Sequence, residues 1–174
     1  PGNANYLDPL REVLMNRVQY RNIGGYEAIV CNHVTDVGSD VGGVRWYELH
    51  RTGGIANPWS IYQQGTWSPA PSGVHRWMAG IAINNNGDIG LAYNVASSSI
   101  FTSIRYTGRY ASDPLGQMTF AETSIIAGTA NNNSNRWGDY NSLDVDPADG
   151  LSFYGTACYN PTASWTTRMF KFSF

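Results

Sequence analysis

Residues Arg136–Gly150, RWGDYNSLDVDPADG, combine an aromatic anchor, a charged pair, an alternating stretch and a tight turn. Arg76–Asp88, RWMAGIAINNNGD, follows the same plan earlier in the chain. Each stretch opens on Arg-Trp, continues with small or polar residues set between Ile, Leu or Val, and closes on an Asn/Asp/Gly turn. Alternation with period two is the mark of a strand, and such turns join antiparallel neighbours. Both stretches therefore predict a strand running into a hairpin.

Outward from these two, the rest of the chain reads the same way. Residues 1–10 form an irregular, Pro/Gly/Asn-marked lead-in. Arg11–Asn22 fits one helical turn followed by a strand. Strands are predicted over Tyr26–Thr35, Val44–Arg51 and Trp59–Trp67, over Trp77–Ile83, Ile89–Val95, Thr102–Tyr110 and Thr119–Ile126, and over the end of the opening stretch to Val145, Leu151–Tyr159 and Trp165–Phe172. Gly-, Pro- and Asn-rich segments separate them. The two Arg-Trp pairs lie sixty residues apart, and Arg45-Trp46, Arg105-Tyr106 and Arg168-Met169 repeat at 60 and 63. Two markers at nearly one period define an internal repeat.

Four antiparallel strands in about sixty residues is the plan of a β-propeller blade. The expected fold is all-β, a single domain over 1–174 with about three blades at 14–70, 75–130 and 135–174. The first unit lacks the Arg-Trp anchor, and the last stops short of a fourth strand. Three blades do not close a ring, so the chain is expected to be part of a larger propeller. The remaining blades would come from upstream sequence or from a partner chain. Aromatic residues, Trp46, Trp59, Trp77 and Trp137 among them, are the expected filling between blades, each buried ring contributing roughly 1.5–3 kcal/mol.

With 11 Lys plus Arg against 13 Asp plus Glu, the net charge of −2 gives no electrostatic case for nucleic acid. Charged residues make up only 14%, which leaves a polar, weakly charged surface of the kind common in secreted all-β proteins. No apolar run is long enough for a membrane span. The chain opens on Pro1, which fits a removed leader or a piece of a longer polypeptide. Cys31 and Cys158 fall in non-adjacent units and read as two buried thiols, with a disulfide outside the cell as the alternative. His33, His50 and His75 have no zinc-ligand spacing and read as strand residues.

The run GGVRWYELHRTGG, WSIYQQGTW, HRWMAGIAINNNGDIGLAYNVASS, SIRYTGR, DPLGQM and RWGDYNSLDVDPADG resembles the sialidase-like (BNR-type) β-propeller region of large secreted bacterial proteins. The resemblance spans about Leu14 to Phe172 and is most specific at RWGDY, VDP and SIRYTGR. It implies a bacterial cell-surface or secreted module for recognition or scaffolding, with glycan or protein as ligand, and as the alternative a sialidase-like glycoside hydrolase. The Ser-x-Asp-x-Gly-x-x-Trp box of true sialidases is absent.

Three groups of residues carry candidate chemistry. Arg76, Trp77, Arg136 and Trp137 are the candidate binding residues, since an Arg clamps a carboxylate with two hydrogen bonds and a Trp offers a stacking face. Their structural reading, cross-blade pairing and core packing, is favoured by their recurrence. Arg136, Asp139 and Tyr140, read on one inner strand, form the candidate catalytic set. Period two turns Asp139 away from the other two. Asp144, Asp146 and Asp149 before Gly150 offer oxygens at the alternate spacing calcium takes, although a plain hairpin explains them equally.

Overall fold

A computed structural model describes residues 7–11 and 13–174. Most of the lead-in expected over 1–10 lies outside the described residues. The described part of 11–22 holds no helical turn; only its end is a strand. The chain is all-β: β1 (Gln19–Asn22), β2 (Glu27–Asp36), β3 (Gly42–Arg51), β4 (Ser60–Trp67), β5 (His75–Ile83), β6 (Ile89–Ala96), β7 (Ser103–Arg109), β8 (Thr123–Ile126), β9 (Ser142–Val145), β10 (Phe153–Tyr159) and β11 (Thr166–Phe172). They form three antiparallel sheets, β1-β2-β3-β4, β5-β6-β7-β8 and β9-β10-β11, in which each strand pairs with its chain neighbour.

The turns explain the meander. Asn84 accepts from the backbone N–H groups of Asn86 and Asp88 through its side chain, and Gly87 takes φ +84, so NNNGD closes the β5–β6 hairpin. The third-strand markers hold their places: Arg45 lies on β3, Arg105 on β7 and Arg168 on β11.

The middle sheet is covered on both faces, and its sequence shows how. Ala79, Ile81, Ile83, Ile89, Leu91, Tyr93 and Val95 point to the first sheet, where they meet Val30, Val44 and Trp46. The intervening residues are small. Ala82 and Ala92 face the third sheet, with Leu143, Phe153, Phe170 and Phe172 against them. A Cβ at Gly80 would stand 2.8 Å from the Leu143 nitrogen, and one at Gly90 would stand 2.8 Å from the Phe153 ring. Large side chains fill one interface, and on the other phenylalanines press onto nearly bare backbone. This accounts for the near-continuous burial of β5 and β6. Among the expected aromatic fillings, Trp46, Trp77 and Trp137 are buried. Trp59 is not between sheets: it is half-buried on the outer side of the first sheet, under the Arg51 guanidinium.

The leading strands lie together. β5 contacts both β1 and β9, and Gln19 of β1 donates to the Leu143 carbonyl and to Asp144 of β9 at 2.9 and 2.8 Å. Cys31 is buried and Cys158 half-buried, both are free thiols, and burial raises the pKa of each.

Candidate functional site

The Arg136–Asn141 segment does not form the expected inner strand. β9 begins only at Ser142. Its partner β10 is capped by a side chain instead, the Cys158 N–H donating to Asn141 Oδ1 at 3.2 Å. That bond takes the place of the next backbone rung, and Gly138 at φ +50 turns the preceding chain across the end of the middle sheet. Arg136, exposed, pairs with Asp139 beside it. Tyr140 is 83% exposed and points into solvent. The candidate catalytic set therefore sits on a loop, with Arg136 and Asp139 joined and Tyr140 apart.

Trp137 turns inward. Its Nε1 donates to Asn94 Oδ1 at 2.9 Å, and Asn141 Nδ2 donates to the same oxygen at 2.6 Å and to the Met78 carbonyl at 3.0 Å. Asn94 Nδ2 in turn reaches the Ser103 and Cys158 carbonyls at 3.1 and 2.7 Å. One buried asparagine thus ties the loop to the middle and third sheets. Trp77 packs in the same cluster as Trp137, beside Met15, Val34 and Met78. A register shift between Trp77 and Gly80, with Met78 at φ +49, turns both Trp77 and Met78 inward.

Arg76 has no exposed surface. Its Nε and Nη2 donate to the Glu122 carboxylate at 2.7 and 3.3 Å, and its Nη1 donates to the Val74 carbonyl at 3.0 Å. Glu122 also accepts from Arg105 Nη1 at 2.5 Å and from the Tyr93 hydroxyl at 2.9 Å. Trp67 of the first sheet donates to that hydroxyl at 2.6 Å. Burial, the largest influence, pushes the Glu122 pKa up, but the hydrogen bonds from Arg76 and Arg105, the charge of Arg76 and the Tyr93 hydroxyl outweigh it and hold the carboxyl below its ordinary value. Burial, followed by the Glu122 charge, drives the Tyr93 phenol far above its own. The cluster sets one carboxylate against two guanidiniums within the middle sheet, and the Trp67–Tyr93 hydrogen bond ties it to the first.

At the end of the stack where β5 begins, a groove of about 740 Å³ opens between the ends of β2 and β6, the start of β3, residues 7–11 and residues 130–132. Asp8, Asp36, Asp40 and Arg11 bring charge to its walls, and Ser97, Ser98 and Thr102 bring hydroxyls. Arg11 stands 4.0 Å from Asp40 across it. Trp77 contributes to the lining, and its buried indole N–H has no partner among the described residues. Of the four candidate binding residues, only Trp77 reaches this groove.

The three aspartates before Gly150 do not converge. Asp144 is turned to Arg17 Nη2 at 2.5 Å. Asp146 and Asp149 share Lys171, whose Nζ lies 3.4 and 3.8 Å from them. The Ser152 hydroxyl and the Leu151 and Ser152 backbone N–H groups pull the Asp149 pKa down to about 2. Among the described residues no three His, Cys, Asp or Glu side chains are grouped as a metal site needs. Lys171 supplies the hairpin's cation, so millimolar calcium is expected to leave the melting temperature unchanged. A rise by mass action would assign a metal to this turn.

Sequence reasoning passed over Glu122, set in a stretch read only as strand, and Asn94. Neither carries a spacing signal. Both partner residues distant in the chain. A comparison with known protein families finds no matching family model, and a comparison with curated proteins finds no matching sequence.

Proposed function

We propose that this chain is a recognition and scaffolding module of a secreted or cell-surface bacterial protein, and that it binds a glycan or protein ligand without cleaving it. Its three sheets are blades of a β-propeller whose remaining blades come from further sequence or a partner chain. The meander order of each sheet, the face-to-face stacking and the close approach of β1, β5 and β9 support that architecture.

The groove of about 740 Å³ carries the functional reading. It is concave, mixes hydroxyls and carboxylates with apolar floor residues, and falls within the size range of ligand sites. The residues with catalytic potential are disposed otherwise. Asp139 is paired to Arg136, Tyr140 is in solvent, and Tyr93 beside Glu122 is fully buried. The alternative, a sialidase-like glycoside hydrolase, needs a carboxylate and a nucleophile facing one ligand space.

The test is binding to an array of purified glycans and bacterial surface polysaccharides, alongside a fluorogenic sialoside. Ser98, exposed on the groove wall, is replaced by Trp to fill it. Retention of a ligand by the wild type, weakened about tenfold or more in S98W, is expected, with no sialic acid released. Release of sialic acid, abolished by Glu122→Gln or Asp139→Asn, would put the hydrolase reading first.

A further inference from the structure

A second cavity, about 410 Å³, lies at the opposite end of the stack, between the first sheet and the Gly87 and Ala111 turns of the middle one. Period two on β3 sets Glu48 and His50 on one face. Glu48 is 2% exposed, and both of its oxygens are used. Oε1 meets His50 Nε2 at 2.6 Å, and Oε2 accepts from Gln63 Nε2 at 2.5 Å. Behind it, Gln63 Oε1 accepts from Arg109 Nη1 at 2.7 Å and the Gly116 N–H at 2.9 Å. The imidazole is clamped from both sides: Tyr62 stacks on it at 4.0 Å and 8°, and Tyr26 covers the other face at 4.1 Å.

This arrangement leaves a defined set of polar atoms facing the space. Glu48 engages Nε2, so Nδ1 is the ring nitrogen left to the cavity. Nδ1 and the Tyr26 and Tyr62 hydroxyls have no hydrogen-bond partner among the described residues. Burial first, and then the nearby Glu48 charge, raise the Tyr26 pKa above its ordinary value, so its hydroxyl remains a donor. The Tyr62 ring is 46% exposed and supplies an apolar wall. Both oxygens of the one lining carboxylate are engaged by His50 and Gln63, so the cavity offers a ring nitrogen, two phenol hydroxyls, Thr52 and a ring face.

We propose that this cavity is a saccharide site, separate from the groove at the other end and independent of what that groove binds. A sugar hydroxyl hydrogen-bonds to His50 Nδ1, other sugar oxygens accept from the phenols, and the sugar's C–H face lies on Tyr62. A neutral sugar ring with hydroxyls and an apolar face matches this lining, whereas an anion would meet the Glu48 carboxylate.

The experiment follows the His50 ring signals by NMR in the folded chain during separate titrations with methyl glucoside, methyl galactoside, N-acetylglucosamine and inorganic phosphate. At least one neutral sugar is expected to shift His50 saturably. Tyr62→Ala should weaken the effect about tenfold, while S98W leaves it unchanged. Dispersed, native-like spectra establish that Y62A is folded, since Tyr62 is largely at the surface. His50 signals that stay still with every sugar would overturn the proposal. So would signals that move only with phosphate, or that lose their response in S98W.

Discussion

Glu122→Ala lowers the unfolding free energy by about 3–5 kcal/mol, the cost of leaving a buried guanidinium without its counter-charge. Arg76 is fully buried and directs two donors at this carboxylate, so the substitution strands it, while Arg105, a quarter exposed, is free to turn to water. The Tyr93 hydroxyl loses its acceptor in the same step and with it the join to Trp67. Urea unfolding near pH 7 gives the magnitude. The acid limb gives a second check. The folded Glu122 pKa lies below its ordinary 4.5, so its stabilisation is fully present above that value and is lost as pH falls through the folded one. Glu122→Gln should therefore be less stable at neutral pH and less sensitive to acid than the wild type. A variant with unchanged midpoint and unchanged acid limb would contradict a stabilising role for the Glu122 cluster.

Trp137→Ala is the other large effect, also about 3–5 kcal/mol, from loss of the indole's burial and the cavity left behind. The ring is 3% exposed and sits against Trp77, Met78 and Val34. Trp137→Phe separates packing from hydrogen bonding. It keeps most of the contact but leaves Asn94 Oδ1 with only Asn141, and should cost about 1 kcal/mol. A loss well under 1 kcal/mol for the alanine variant would mean that the loop carries the tryptophan at the surface.

Most of the fold was legible because the strands alternate and their turns are chemically explicit. Ile89–Val95 was predicted where β6 runs Ile89–Ala96, and Trp165–Phe172 where β11 runs Thr166–Phe172. The errors fall where tertiary partners decide. Thr119–Phe120 look like strand, yet both N–H groups donate to the Gly108 carbonyl in a turn, and β8 starts at Thr123. The Arg136–Tyr140 segment alternates as a strand does, but Asn141 occupies the rung that would have extended β9. Of the candidate site, Trp137 is packed in the core as its structural reading had it, whereas Arg76 pairs within its own sheet and not across blades. The groove itself gathers residues from five separate segments, and no local pattern announces such a meeting. Glu48 and His50 did carry a signal, since residues two apart on a strand share a face, but their tyrosine clamp comes from β4 and from the bend before β2.

Every sheet here is a run of adjacent hairpins, so its backbone pairing closes only short loops. Pairing of this kind has low contact order and is quick to form. The large spans of chain are closed instead by the apolar faces between sheets. The middle sheet gains from both neighbours and each outer sheet from one. Opening free energy is therefore graded through the stack. The amides of β6, paired on both sides, exchange their hydrogens only on global unfolding, while those of β4 and β11, at sheet edges, exchange through smaller local openings.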